Sequence, residues 1–171
     1  MVILGVDPGI ATVGFGVIDS SGGSQRLLRC GVITTSPDMR LARRLKQIYG
    51  DMQEIIGAFG PDCMVIEELF FNTNLKTAVS VAHGRGVAIL AGETRGVPMY
   101  EYTPLQVKQA VTGYGRADKK QVMDMVRRLL SMDETPKPDD AADALAVAIC
   151  HARFAGSLIN NISGDDGCST I

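Results

Sequence analysis

Four acidic residues occupy positions where an ionised carboxylate is expensive to keep. The run Ile3-Leu4-Gly5-Val6-Asp7-Pro8-Gly9 is short, apolar and β-rich. It reads as a strand buried on both faces that delivers a carboxylate, Asp7, at its exit. Asp62-Cys63-Met64-Val65-Ile66-Glu67-Glu68 repeats the arrangement with Glu67. Asp140 and Asp143 open an otherwise apolar stretch, Ala141 to Phe154, at the i,i+3 spacing that puts both on one helix face. If the four converge, each pair at about 4 Å costs roughly 4 kcal/mol at an effective dielectric near 20. Neither strand contains a Lys or Arg to offset this. Hard divalent cations supply the missing charge, and oxygen-only ligands point to Mg²⁺ or Mn²⁺ rather than zinc. Two such ions form the clamp used for in-line phosphodiester displacement. The structural alternatives are loop hydrogen bonds for Asp7, an N-cap role for Asp139 after Pro138, and a helix-dipole role for Asp140.

The elements that must bring these acids together follow from periodicity. After the first strand, Gly14–Ser20 and Arg26–Thr35 read as two more, joined by Ser21-Gly22-Gly23-Ser24 into an antiparallel meander. Gly14 and Gly16 mark either a bulge or a close backbone approach, as to a ligand. Residues 39–59 switch to helical period, with Leu41, Leu45, Ile48, Met52, Ile55 and Phe59 on one stripe and Gly60-Pro61 as the stop. A helix between strands three and four permits a parallel crossover that sets strand four beside strand one. Asp7 and Glu67 would then share the C-terminal sheet edge, where open α/β sheets bind ligands.

A long helix, about 74–95, is apolar nearly all round over Gly86–Ala91 and must be buried on more than one side, by the sheet or by a partner chain. Pro98–Tyr102 is a fifth strand, Thr103-Pro104 a helix start with Thr103 as N-cap, and Asp118–Ser131 a further helix. We read residues 1–155 as one α/β domain and Gly156–Ile171, which has no period, as a mobile tail.

Composition narrows the class. At 171 residues the chain can bury a sizeable core, and it has no run long enough to span a membrane. Cys30, Cys63, Cys150 and Cys168 lack metal-ligand spacing, and with no secretion signal the reading is a reduced, cytoplasmic protein. The net charge of −2 hides basic clusters: Lys108, Arg116, Lys119, Lys120, Arg127 and Arg128 against Asp118 and Asp124, and separately Arg40, Arg43, Arg44 and Lys46. An acidic, metal-loaded centre flanked by basic surface suits a polyanion.

Five blocks in order, ILGVDPGIATVGFGVI, VIEELF, GRGVAIL, YEYTPLQVKQAVTGYGRADKKQV and DDAADALAVAICH, resemble the RuvC family of Holliday-junction resolvases over roughly residues 2–153. The resemblance implies a ribonuclease H-like fold: a five-stranded mixed sheet, strands 1–3 an antiparallel meander, strands 4 and 5 parallel to strand 1, flanked by helices. It implies a structure-selective endonuclease with Asp7, Glu67, Asp140 and Asp143 binding two Mg²⁺ per subunit; some family members have His at the Asp140 position. It implies phosphate-holding or charge-offsetting roles for Lys108 and Lys119, with Lys120 as a neighbour able to share the task and Arg116 on the same DNA-facing surface. Lys119 is implied to be catalytic. Phe70 matches a position whose ring meets bases, although core burial of Phe70 or Phe71 is the competing reading. A homodimer, four-way junction DNA, and the branch-migration proteins RuvA and RuvB are the implied partners. Actin-like ATPases and sugar kinases share an Asp-x-Gly opening but need a second comparable domain. A nuclease acting on RNA–DNA hybrids remains the rival within the fold.

Overall fold

The computed structural model describes the backbone of residues 1–68 and 75–163, and side chains over 1–68 and 78–156. Five strands, β1 (Val2–Asp7), β2 (Thr12–Ser21), β3 (Ser24–Thr34), β4 (Cys63–Glu67) and β5 (Met99–Tyr102), form one sheet in the order β3-β2-β1-β4-β5. β1–β2 and β2–β3 pair antiparallel, whereas β4 runs parallel to both β1 and β5. This is the mixed sheet expected. The crossover into β4 is α1 (Leu41–Phe59), and α2 (Leu75–Thr94) leads into β5. α3 (Pro104–Thr112), α4 (Lys119–Leu129) and α5 (Asp139–Ser163) complete the chain.

The sheet separates two cores. Ile3 and Val65 face α3, α4 and α5, joining Val107, Val122, Leu145 and Ile149. Leu4, Val6, Met64 and Ile66 face the other way, onto Ile48, Met52, Ala88 and Ala91 of α1 and α2. Alternation along a strand then assigns Asp7 to the face of Ile3 and Gly5, and Glu67 to that of Val65. Both carboxylates therefore point to the α5 side. Val6 pairs with Ile66, so Asp7 and Glu67 are the next residues on neighbouring strands.

Local signals account for most boundaries. Thr103 caps α3 with a full capping box to Gln106, Pro104 opens the helix, and Asp118 does the same for α4 with Gln121. Gly60 closes α1 in the left-handed conformation, its N–H donating to the Ile56 carbonyl.

Some of these expectations need correction, and others are decided between their alternatives. The buried stripe of α1 is Ile48, Met52 and Ile56, with Ile55 only partly buried and Leu41 exposed, because the helix meets the sheet along an i,i+4 ridge. α2 buries Ala88 and Ala91 on one side and leaves Val79 and Leu90 exposed on the other, the side for which a partner chain is the expected cover. α5 continues past Phe154 to Ser163. The β2–β3 irregularity falls between Val17 and Ile18, not at Gly14 or Gly16. Those two glycines instead admit α5: a Cβ on Gly14 would strike the Asp140 carbonyl, and one on Gly16 would meet Leu145 Cδ2 at 2.6 Å. The close approach is by a helix of the chain itself.

Candidate active site

The start of α5 is pressed onto the β1–β2 hairpin at the point where Asp7 ends its strand. Gly14, which accepts the Asp140 backbone, is the register partner of Asp7. Within 141–150 Asp143 alone is not buried, so the helix offers a carboxylate at the sheet edge and otherwise only apolar surface. Asp7, Glu67, Asp140 and Asp143 are all half-buried.

Their fields overlap. The carboxyl of Asp7 is pushed from the ordinary 3.8 up to about 7, first by burial and then by Asp143, Glu67 and Asp140, with Lys119 opposing. Glu67 is also raised, by burial and by Asp143, while Lys108 pulls it down. Burial is the largest cause at Asp143 too, and with Asp139 and Asp140 it outweighs the neighbouring Lys119. Among the described residues, however, no three His, Cys, Asp or Glu side chains are already drawn in closely enough to cage an ion. The four acids share one field without yet surrounding one point.

A cation of the chain stands among them. Lys119 Nζ lies 3.0 Å from Asp143 Oδ2 and 3.2 Å from Asp139 Oδ2. Partial burial lowers the pKa of this ammonium, but Asp143 and Asp139 more than reverse that and raise it overall. Asp139 is thus the first helical residue, its carboxylate spent on Lys119, and not an N-cap. Glu67, Lys108, Lys119 and Asp143 line one cleft of about 280 Å³ with Pro104, Val107, Val122 and Ala146.

The remaining candidates divide. Arg116, in the turn before α4, and Lys120, one residue beyond Lys119, are exposed and do not line this cleft. Arg127 and Arg128 are held by Asp124 at 3.1 and 2.8 Å, so two residues of the basic cluster are locally neutralised. Phe70 and Phe71 lie outside the described residues. Asp139 was missed as a functional neighbour because its cap position offered a sufficient local explanation. His83 is exposed, and His151 is buried with Nδ1 2.9 Å from the Tyr102 hydroxyl; neither shares the acids' cleft.

The donor set fits a hard divalent cation: four carboxylates, oxygen-only, mutually repelling, with a cationic side chain already drawn to one of them.

A family model described as crossover junction endodeoxyribonuclease RuvC matches residues 3–151. A crossover junction endodeoxyribonuclease RuvC from Desulforamulus reducens is 54% identical over 158 residues, 92% of this chain and 97% of that protein. The fold is similar to the Thermus thermophilus RuvC structure, with a TM-score of 0.86 and 39% identity over 92% of this chain and 96% of that one. It is equally similar to T. thermophilus RuvC in complex with Holliday junction substrate, with a TM-score of 0.85 and 37% identity over the same 92% and 96%.

Proposed function

The chain belongs to the RuvC family of crossover junction endodeoxyribonucleases, and from that premise we propose that it resolves Holliday junctions by paired, symmetric, metal-dependent hydrolysis of phosphodiester bonds. The observation that supports this most is the field at Asp7, raised to about 7 by burial and by three acidic neighbours, Glu67 on β4 and Asp140 and Asp143 on α5. A structural carboxylate gains nothing from such company; a ligand awaiting a cation does.

In this reading Asp7, Glu67, Asp140 and Asp143 hold two Mg²⁺, with Mn²⁺ as a substitute. Bound metal would lower the pKa of the attacking water and offset charge on the leaving 3′ oxygen. The rest is done by side chains. Lys108, in the middle of α3, and Lys119, at the start of α4, both line the cleft and hold the scissile phosphate through its non-bridging oxygens, Lys119 also offsetting charge as it develops. Arg116 and Lys120 contact neighbouring phosphates, and Phe70 supplies a ring for bases at the crossover.

Two symmetry-related strands call for two sites, so the working unit is a homodimer. The exposed outer face of α2, with Val79 and Leu90, is the surface we assign to the contact. Branch migration by RuvA and RuvB would deliver the junction. We place the protein in the cytoplasm, in DNA recombination and repair. Among the described residues Cys30, Cys63 and Cys150 are free thiols, and no helix is long and apolar enough to cross a membrane.

The test compares a synthetic four-way junction, a linear duplex of the same sequence and an RNA–DNA hybrid, each with Mg²⁺ or EDTA. We expect Mg²⁺-dependent paired nicks, ligatable, in the junction alone. Equal cutting of all three substrates would favour a general ribonuclease H-like nuclease and refute the resolvase reading.

A further inference from the structure

Lys119 is the first residue of α4, and its ammonium is forked between two carboxylates one turn apart on α5. The two arms differ in what else they face. Of the two arms, Asp143 contributes to the field that lifts Asp7. Asp143 feels Asp139 as a neighbour. Asp139 is the more exposed arm of the fork, at 58% against 34% for Asp143.

We propose that Asp139 is a positioning residue that retains the Lys119 ammonium at the cleft when a divalent cation takes Asp143. This rests on the reading of Asp143 as a metal ligand. A carboxylate oxygen in contact with a divalent ion no longer attracts an ammonium as before, because the ion repels it. Lys119 must then give up its 3.0 Å contact to Asp143. Lysine carries a flexible four-carbon stem, and a released ammonium with no second partner swings into water. Asp139 is already 3.2 Å away, so Lys119 can be handed over without leaving the mouth of the cleft.

Two features make Asp139 suited to this. It lies in the first turn of α5, one turn before Asp143 on the same helix, so both arms reach Lys119 from one rigid element. Both ion pairs are also part-exposed, with Lys119 at 53%, and pairs of that kind are individually weak. A weak fork is a poor staple but a good latch, since giving up one arm costs little.

The experiment uses the full chain as wild type, Asp139→Asn and Asp139→Glu, with ¹⁵N-labelled lysine. The Lys119 ammonium signal is followed by NMR from EDTA to saturating Mg²⁺, beside single-turnover junction cleavage and junction binding in EDTA. In wild type we expect the signal to shift on Mg²⁺ addition and persist. In Asp139→Asn it should be present in EDTA, held by Asp143, and be lost to fast exchange at saturating Mg²⁺. Cleavage at saturating Mg²⁺ should slow about 2–5-fold, the scale of one part-exposed ion pair, with junction binding unchanged. Asp139→Glu should restore both. If wild type responds to Mg²⁺ and Asp139→Asn matches it in signal and rate, the positioning role is overturned and the ligand reading of Asp143 stands. If the wild-type signal ignores Mg²⁺, both fall together.

Discussion

Replacing Asp7 with asparagine keeps the side chain's size and removes its charge, so it isolates the electrostatic cost of the site. In the folded chain the Asp7 carboxyl is raised from 3.8 to about 7. A raised carboxyl contributes its stability below the unfolded value, about 4, and loses it as pH climbs to and through 7. At about 1.4 kcal/mol per pH unit, the metal-free wild type at pH 8 carries roughly 4 kcal/mol of strain that Asp7→Asn lacks. Side-chain rearrangement relieves part of this, so we expect the variant to be more stable by about 2–4 kcal/mol, or roughly 5–12 °C in Tm for a chain of this size. The assay is a set of paired thermal melts in EDTA from pH 4 to pH 8. The difference between the two proteins cancels groups common to both, including His151, whose burial lowers its pKa and gives the opposite trend below its ordinary 6.5. The gap should nearly vanish at pH 4 and be full at pH 8. Mg²⁺ should then narrow it by stabilising wild type selectively. A variant no more stable than wild type at pH 8 in EDTA, or a gap equal at both ends, would refute the reasoning.

Two further outcomes are expected. Gly14→Ala places a methyl group against the Asp140 carbonyl, a backbone atom that cannot yield without lifting α5. It should destabilise the fold by about 3 kcal/mol, read in denaturant melts, and weaken Mg²⁺ stabilisation as Asp140 moves away from Asp7. Lys119→Ala should slow single-turnover junction cleavage by about 100-fold while costing under about threefold in junction binding, measured by gel shift in EDTA. Unchanged rates would reduce Lys119 to a surface lysine.

Much of the fold was legible because its signals are local. The helix start at Thr103-Pro104, the stop at Gly60, and the period change after β3 depend on residues within a turn of one another. The stripe of α1 was read one position off, Ile55 for Ile56, because helical period specifies a face but not the angle at which the sheet receives it. Arg127 and Arg128 looked available for DNA, although the Asp124 that holds them was only three and four residues away. Counting charges over a segment hid the pairing that helical spacing would have exposed.

What the sequence settled by itself was the identity of the parts: apolar strands ending in Asp7 and Glu67, a helix opening with Asp140 and Asp143, and basic residues near both. Residue type and short-range period are enough for that. Only the tertiary structure decided how charge is shared between elements distant in the chain. It laid α5 on Gly14 so that Asp7 feels Asp140 and Asp143, and it set Lys119 between Asp139 and Asp143. Coulomb interactions depend on separation in space, which no spacing along the chain records.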